Sequence, residues 1–380
     1  MARVVILFLF KTCGMKEERL KYWLALRRIK GVCSPEFMAF LNGVNDAKDV
    51  FEMGGSGPKA EGLKVIFERV RNFPEWGAIE RELEFLEKNN DVRVTTIKDA
   101  SYPKRLKEIY DPPIVLYAKG RVFDEELPAV AVVGTRRASH YGLSMAESIS
   151  ADLAASGVVI VSGLARGCDS AAHRGALKAG GKTVAVLGTG IDVVYPKENR
   201  SLFEEIEEKG LLLSEFAPWT PPHARNFPMR NRIISGVSLG VIVVEAPARS
   251  GAMMTARLAL EQNRDLFALP GQAGAKKSGG ANKLIKDGAT LIEGAEDILS
   301  AFFPGLSGKN GLPTEKGGKK RVLGVEEARI DEILEDGAMH IDSIAGQCAM
   351  AVEKVSALLL DMELKGLVEH LPGKFYARRQ

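Results

Sequence analysis

Residues 129–139, AVAVVGTRRAS, decide the fold. The first five are apolar with no alternating polar residue, the pattern of a strand covered on both faces. Gly134 ends the run. Small residues after a strand let the backbone approach a ligand closely, and the first N–H groups of a following helix lack internal partners, so an anion binds there. Thr135, Arg136 and Arg137 add a hydroxyl and two guanidinium groups at that point. Arginines in a loop are by default solvated charges. These end a parallel strand, where open α/β sheets bind ligands, and that favours anion contact. Residues 227–256, FPMRNRIISGVSLGVIVVEAPARSGAMMTA, repeat the design: a buried strand, a small and cationic loop, then a helix.

Outward from these stretches, apolar runs alternate with helical patterns. Strands are predicted at 130–133, 158–162, 182–187, 211–214, 239–245, 266–269 and 290–292. Helices are predicted at 142–155, from near 169, and at 198–209, 230–235, 251–263 and 282–286. Seven strands with intervening helices make an α/β fold with a doubly wound, mostly parallel, extended Rossmann-like sheet.

In front of this domain, residues 16–52 carry a helical pattern in which Leu20, Trp23, Leu24, Leu26 and Ile29 share a face until Gly31 breaks it. A second helix is expected after Ser34-Pro35, with serine as its cap and proline in its first turn. The pair resembles a helix-hairpin-helix, but Cys33 stands where that motif wants a second glycine, and plain helical packing fits as well. Residues 80–89 read as another helix, and 110–120, YDPPIVLYAKG, as an extended piece along the edge of the sheet. Behind the domain, 303–320 is rich in Gly, Pro and Lys, the composition of a flexible linker. Short helices at 328–334 and 341–349, a longer one at 352–365 and a two-stranded wing turning at Pro372-Gly373 give the order of a winged helix. The division expected is a helical domain at 1–75, with the native start at Met15, the sheet domain at 76–304, a linker at 305–321 and a winged-helix domain at 322–380.

The 380 residues are 46% hydrophobic, enough for a large core, and carry a net charge of only +3. Any argument for nucleic acid therefore rests on where charge is concentrated. Residues 322–380 hold 6 basic and 11 acidic residues, a net −5, and the longer helix of the winged module carries few cations, so the tail reads as a protein-contact module. Cys13, Cys33, Cys168 and Cys348 show no CxxC spacing, which argues against a zinc site or a disulfide framework. The apolar run at 4–10 is too short to span a bilayer, and no cleavage pattern follows Lys11. A cytoplasmic protein with no membrane association is expected.

Several motifs fall short. GTGIDV at 188–193 lacks the third glycine and runs into Tyr195-Pro196 instead of a helix, so it is no dinucleotide loop, and GALKAGGKT at 175–183 has the wrong spacing for a P-loop. No cofactor is expected. Asp169 and His173, one helical turn apart, have no second ligand pair for a metal, and capping with local hydrogen bonding is the better reading. Glu245 ends a strand at the ligand edge, where it either serves as an acid or binds loop N–H groups. The stronger signal is cationic: Arg136, Arg137, Arg166, Lys197, Arg200, Arg225, Arg230, Arg232 and Arg249 all fall in or next to strand-ending loops. One sheet edge should collect them. Phe227 and Trp219 lie among them, and aromatics beside arginines suit stacking on an unpaired base.

GTRRAS (134–139), SGLARGCDSAAH (162–173), VLGTGIDVVYPKEN (186–199), FPMRNRIISG (227–236), VVEAPARSGAMMTA (243–256), PG (270–271) and GANKLIKDGA (280–289) together resemble the DNA-processing protein A family, called DprA or Smf, in order and spacing. The resemblance implies a non-enzymatic homodimer that binds single-stranded DNA entering the cell and loads a RecA-type recombinase in natural transformation. The DNA-binding set it implies, with the cationic edge, is Gly134, Thr135, Arg136, Arg137, Gly163, Arg166, Lys197, Asn199, Arg200, Phe227, Arg230, Asn231, Arg232, Ser250 and Gly251. The rival is a nucleoside monophosphate phosphoribohydrolase of the lysine decarboxylase-like type. That family's turn resembles PGGxGTxxE, whereas RSGAMMTAR here has one glycine and no acid at the corresponding place.

Overall fold

The computed structural model describes residues 17–53, 61–121, 127–302, 325–364, 367–371 and 373–378. The expected start at Met15, the 305–321 linker and the Pro372 side of the wing turn lie outside them. The chain divides into two compact units, Met1–Ser307 and Gly308–Gln380.

The first unit is built on a nine-stranded sheet. Its parallel part alternates with helices: β3 (Ala129–Val133), α7 (His140–Ala155), β4 (Val159–Ser162), α8 (Cys168–Lys178), β5 (Thr183–Val186), α9 (Arg200–Lys209), β6 (Leu211–Ser214), α10 (Asn226–Gly236), β7 (Gly240–Val243), α11 (Gly251–Glu261), β8 (Asp265–Ala268), α12 (Gly279–Lys286) and β9 (Thr290–Leu291), with α13 (Ala295–Phe302) after it. The strand order in this part is β6-β5-β4-β3-β7-β8-β9, so the winding reverses at β3. Val130 and Val132 pack with Ile149 and Leu153 of α7, while Ala131 and Val133 belong to the larger cluster with Ile233 and Ile234 of α10. Both faces of β3 are therefore buried, which is why its sequence shows no alternation.

Two strands extend the sheet beyond β6. β2 (Val115–Gly120) pairs antiparallel with β6, and β1 (Val92–Thr96) pairs antiparallel with β2. Residues 110–120 thus do not form the edge, as their sequence suggests; β1 does. Its five residues, VRVTT, hold two polar inner positions and a basic one, too little for a strand signal.

The front helices α1 (Glu17–Arg27), α2 (Pro35–Asn42), α3 (Ala47–Glu52), α4 (Glu61–Arg71) and α5 (Trp76–Lys88) fall in the same compact unit as the sheet. Trp23, Leu24, Phe37 and Ile79 share one apolar cluster with Leu116, Tyr117 and the face of β3 that carries Val133. Residue 75 separates two kinds of sequence, not two cores. Ser34 caps α2 as expected, its Oγ accepting from the Phe37 N–H with Pro35 in the first turn. Glu82 of α5 is fully buried and is held by Arg27, Arg28 and the Tyr117 hydroxyl. A buried carboxylate needs such partners.

The second unit holds α14 (Val325–Ile333), β10 (Met339–His340), α15 (Ile341–Cys348), α16 (Val352–Leu364), β11 (Val368–Leu371) and β12 (Phe375–Arg378), with strand order β10-β12-β11. Three helices and a wing around Ile330, Ile344, Val355 and Leu359 make the winged helix. Two of its described cations are engaged internally: Lys354 with Glu326, and Arg378 with Asp331 at 2.8 Å and Glu335 at 3.1 Å.

Candidate nucleic-acid interface

The ends of β3, β4 and β5 meet in one cleft. Arg136 comes from the β3 loop, Gly163–Arg166 from β4 and Leu187–Thr189 from β5; Tyr195, Pro196, Phe227 and Arg230 complete the lining. The loops close on one another because glycines permit it. Gly167 has φ +78°, and a Cβ there would stand 2.3 Å from the Thr135 carbonyl oxygen. A Cβ on Gly188 would stand 2.7 Å from Phe227 Cδ1, so the bare backbone of the β5 end lets that ring lie against it. Tyr195 packs on the same ring at 5.2 Å, and the Arg136 guanidinium lies 5.5 Å from its centroid. An aromatic surface with a cation over it is thereby fixed at the mouth of the sheet.

Beneath it lies a polar frame. Arg230 is 3% exposed and donates to the carbonyls of Gly163, at 2.8 Å, and Val186, tying the ends of β4 and β5. Burial lowers its guanidinium to about 10, a fall that Asp169 opposes. Asp169 accepts from the N–H groups of Gly163 at 3.2 Å and Ala165 at 3.4 Å; burial raises its carboxyl above the usual range despite Arg230. The two charges sit on either side of Gly163, where a Cβ would stand 2.5 Å from Arg230 Nη2 and 2.7 Å from Asp169 Oδ2. Asn199 is buried and donates to the Leu164 carbonyl and to Ser170 Oγ, both at 2.9 Å, bracing the β4 loop from behind. It is a frame residue, not the ligand contact its neighbours suggest.

Of the cations expected at this edge, Arg136, Arg166 and the buried Arg230 line the cleft. Arg136, Arg137, Arg166, Lys197, Arg200, Arg225 and Arg249 are exposed. Arg166 pairs with Glu198 at 2.5 Å and Arg200 with Glu204 at 3.7 Å, pairs at the surface that an incoming phosphate can replace at little cost. Arg232 does not belong to the edge. Two residues after Arg230 on one helix, it points to the opposite side and is buried between Asp111, at 3.0 Å, and Glu215, at 2.5 Å. Asn231 accepts from Arg230 Nε at 3.3 Å. Ser250 and Gly251 start α11, where Ser250 Oγ accepts from the Met253 N–H; they lie outside the cleft lining. Thr135 is spent on the loop itself, its N–H donating to the Glu245 carbonyl and its hydroxyl accepting from the Arg137 N–H. Gly134 makes room for Cys168, whose thiol burial pushes up to about 12.

Glu245 resolves in favour of loop binding: its carboxylate accepts from the Ser139 N–H at 2.7 Å and hydroxyl at 3.2 Å. Tyr195 and Gly188 were not singled out from the sequence, although both stand in the stretch GTGIDVVYP. Among the described residues no cluster of three or more His, Cys, Asp and Glu is placed to hold a metal, and no single helix is long and apolar enough to cross a membrane.

His173 is fully buried. Thr183 Oγ1 donates to the Ile160 carbonyl, so the 2.7 Å contact from His173 Nδ1 is an N–H donation to that hydroxyl. Burial, with a smaller push from Arg230 and Arg174, lowers the imidazole from 6.5 to about 3. The folded state keeps it neutral while the unfolded chain binds a proton below its ordinary value. Its stabilising contribution is complete above pH 6.5 and is lost as pH falls toward 3, at a slope of about 1.4 kcal/mol per pH unit. His173→Gln should flatten urea-unfolding free energies on the acid side relative to wild type. Parallel curves for the two proteins would contradict the assignment.

A doubly wound sheet whose carboxyl edge offers an aromatic surface, exposed arginines and glycine-lined loops, in a chain that also carries a winged helix, has the class of architecture suited to phosphate-bearing ligands. A family model for DNA recombination-mediator protein A matches residues 93–303, and one for the DprA winged helix domain matches 319–374. Protein Smf of Synechocystis sp. is 35% identical, over 96% of this chain and all of that protein. The X-ray structure of Streptococcus pneumoniae DNA processing protein A aligns with TM-score 0.63 at 36% identity, covering 74% of this chain and 97% of that one. A Helicobacter pylori DNA processing protein A structure, described for its single-stranded DNA binding mode, aligns with TM-score 0.50 at 33% identity, covering 55% and 94%. The chain belongs to the DprA/Smf family.

Proposed function

We propose that this chain binds single-stranded DNA in the cleft, protects incoming strands and loads a RecA-type recombinase in natural transformation and DNA processing, acting as a homodimer and without catalysis. One observation carries the DNA reading: Arg136 lies 5.5 Å over the Phe227 ring with Tyr195 packed beside it. Such a surface takes the face of an unpaired base while the cation meets the backbone, and a paired base does not offer that face. The contacts assigned to DNA are Arg136, Arg137, Arg166, Lys197, Arg200 and Phe227. The single-stranded DNA binding of the Helicobacter pylori relative supports the substrate; recombinase loading and dimerisation rest on the family. The phosphoribohydrolase alternative needs a free carboxylate facing a ribose, and both buried candidates at the sheet edge are engaged, Asp169 with loop N–H groups and Glu245 with Ser139.

Fluorescence anisotropy of labelled oligothymidylate across a salt series tests the reading. Wild type should bind with a marked salt slope, and Arg136→Ala should bind more weakly with a slope shallower by about 0.7, the share of one phosphate contact on a single strand. No binding at low salt, or base released from nucleoside monophosphates, would overturn it. Light scattering at micromolar concentration and recombinase filament growth on protein-covered single strands check the two remaining parts.

A further inference from the structure

Trp219, in the loop between β6 and α10, combines two features that packing alone does not require. Its backbone has φ +64°, a left-handed conformation that bulky residues rarely adopt, and its side chain is 53% exposed. Strain of this kind persists where the surroundings impose it, and it concentrates at ligand sites. Here three hydrogen bonds impose it. The Trp219 N–H donates to Asp192 Oδ1 at 2.8 Å, the Gly190 N–H to the Thr220 carbonyl at 2.9 Å, and the Thr220 hydroxyl to the Ala217 carbonyl at 2.6 Å. Gly190 permits this contact, since a Cβ there would stand 2.6 Å from the Ala217 oxygen and 2.9 Å from the Thr220 nitrogen. The turn at 217–220 is thus fastened to the 188–196 loop, which gives Gly188, Thr189, Tyr195 and Pro196 to the cleft.

The indole rests edge-on against Phe85 of α5, centroids 5.0 Å apart at 75°, so it is propped from one side while much of its surface faces water. His223 and Arg225, both exposed, follow on the same loop. Aromatic face, rigid backing, adjacent cation: these repeat, at the β5–β6 side of the sheet edge, the elements found at Phe227.

We infer that Trp219 is a second base-stacking platform, placed so that a single strand seated on Phe227 and Tyr195 continues over the 188–196 loop and lays a further nucleobase on the indole. The inference rests on the reading that the cleft binds single-stranded nucleic acid. It assigns Trp219 to the length of strand held rather than to the first contact.

The chain has three tryptophans, of which Trp23 is buried and Trp76 half-buried, so Trp219 is the exposed emitter. Oligothymidylates of increasing length are titrated into full-length protein and followed both by anisotropy and by tryptophan emission. With wild type, emission of the exposed indole is quenched once the oligomer is long enough to reach it. Trp219→Ala and Trp219→Gly should lose roughly five- to a hundredfold in affinity for the longer oligomers, the range base–aromatic stacking spans, and nothing for the shortest. Trp219→Phe should retain most of the affinity. The glycine variant suits the left-handed backbone, so its loss reports the missing ring and not a damaged fold. If the alanine and glycine variants match wild type at every length while Phe227→Ala weakens binding, Trp219 is no platform and the cleft reading stands. If wild type binds no oligothymidylate, both fall.

Discussion

Arg230→Ala should destabilise the first unit by about 2–6 kcal/mol, about 1–3 kcal/mol for each of two buried carbonyls left without its donor. The guanidinium is 3% exposed, and it satisfies the carbonyls of Gly163 and Val186 at the ends of two neighbouring strands. Its removal leaves both oxygens without that donor and takes from buried Asp169 the larger of the two positive charges that act on it. Arg230→Lys is expected to recover only part of the loss, because a point charge cannot reach two divergent carbonyls as a planar fork does. Urea unfolding checks this through the midpoint at constant slope. A loss below about 1 kcal/mol, the scale of an ordinary surface change, would mean that Arg230 is not the tie described. Arg136, exposed at the mouth of the same cleft, should show the reverse: little effect on stability and a clear one on DNA.

The second large effect concerns Phe227. Phe227→Ala should weaken single-stranded DNA binding about ten- to several hundredfold, combining one lost stacking contact, about 1–3 kcal/mol, with the lost seat for Arg136, about 0.5–1 kcal/mol. No charge is removed, so the salt slope should change less than it does in Arg136→Ala. Anisotropy titrations of Phe227→Ala, Phe227→Trp and wild type at several salt concentrations separate the two. Undiminished affinity in Phe227→Ala would show that the ring does not stack.

The parallel strands β3 to β8 were legible because they are short, largely apolar runs, and burial on both faces writes itself as an unbroken run, whereas β9, Thr290–Leu291, is an exposed edge strand of two residues. The pairing of β2 with β1 was not, because register between a proline-rich strap and a five-residue strand leaves no periodic mark. The cleft was located from Arg136 and Phe227, but the roles of Arg230 and Arg232 were merged. Placing the helix at 230–235 made both look like loop cations. The helix starts at Asn226, with Pro228 in its first turn, and two residues along a helix point to opposite sides. Asn199 misled for a related reason: a polar residue beside Lys197 and Arg200 reads as part of their edge, and only the fold turns it inward to Leu164.

The antiparallel pair β1 and β2 has a consequence that concerns how the molecule is made. β6 reads LLLS, and without β2 its leucines and free backbone groups would form an open apolar edge, the kind that templates intermolecular strand addition. β2 and β1 are synthesised before β6, so the covering strands are already present when it emerges. The outermost strand then carries Arg93 and pairs its ends beside Lys119, which bridges to Asp91 and Glu207. The front of the chain acts on β6 as a built-in chaperone, replacing a sticky margin with a short and charged one.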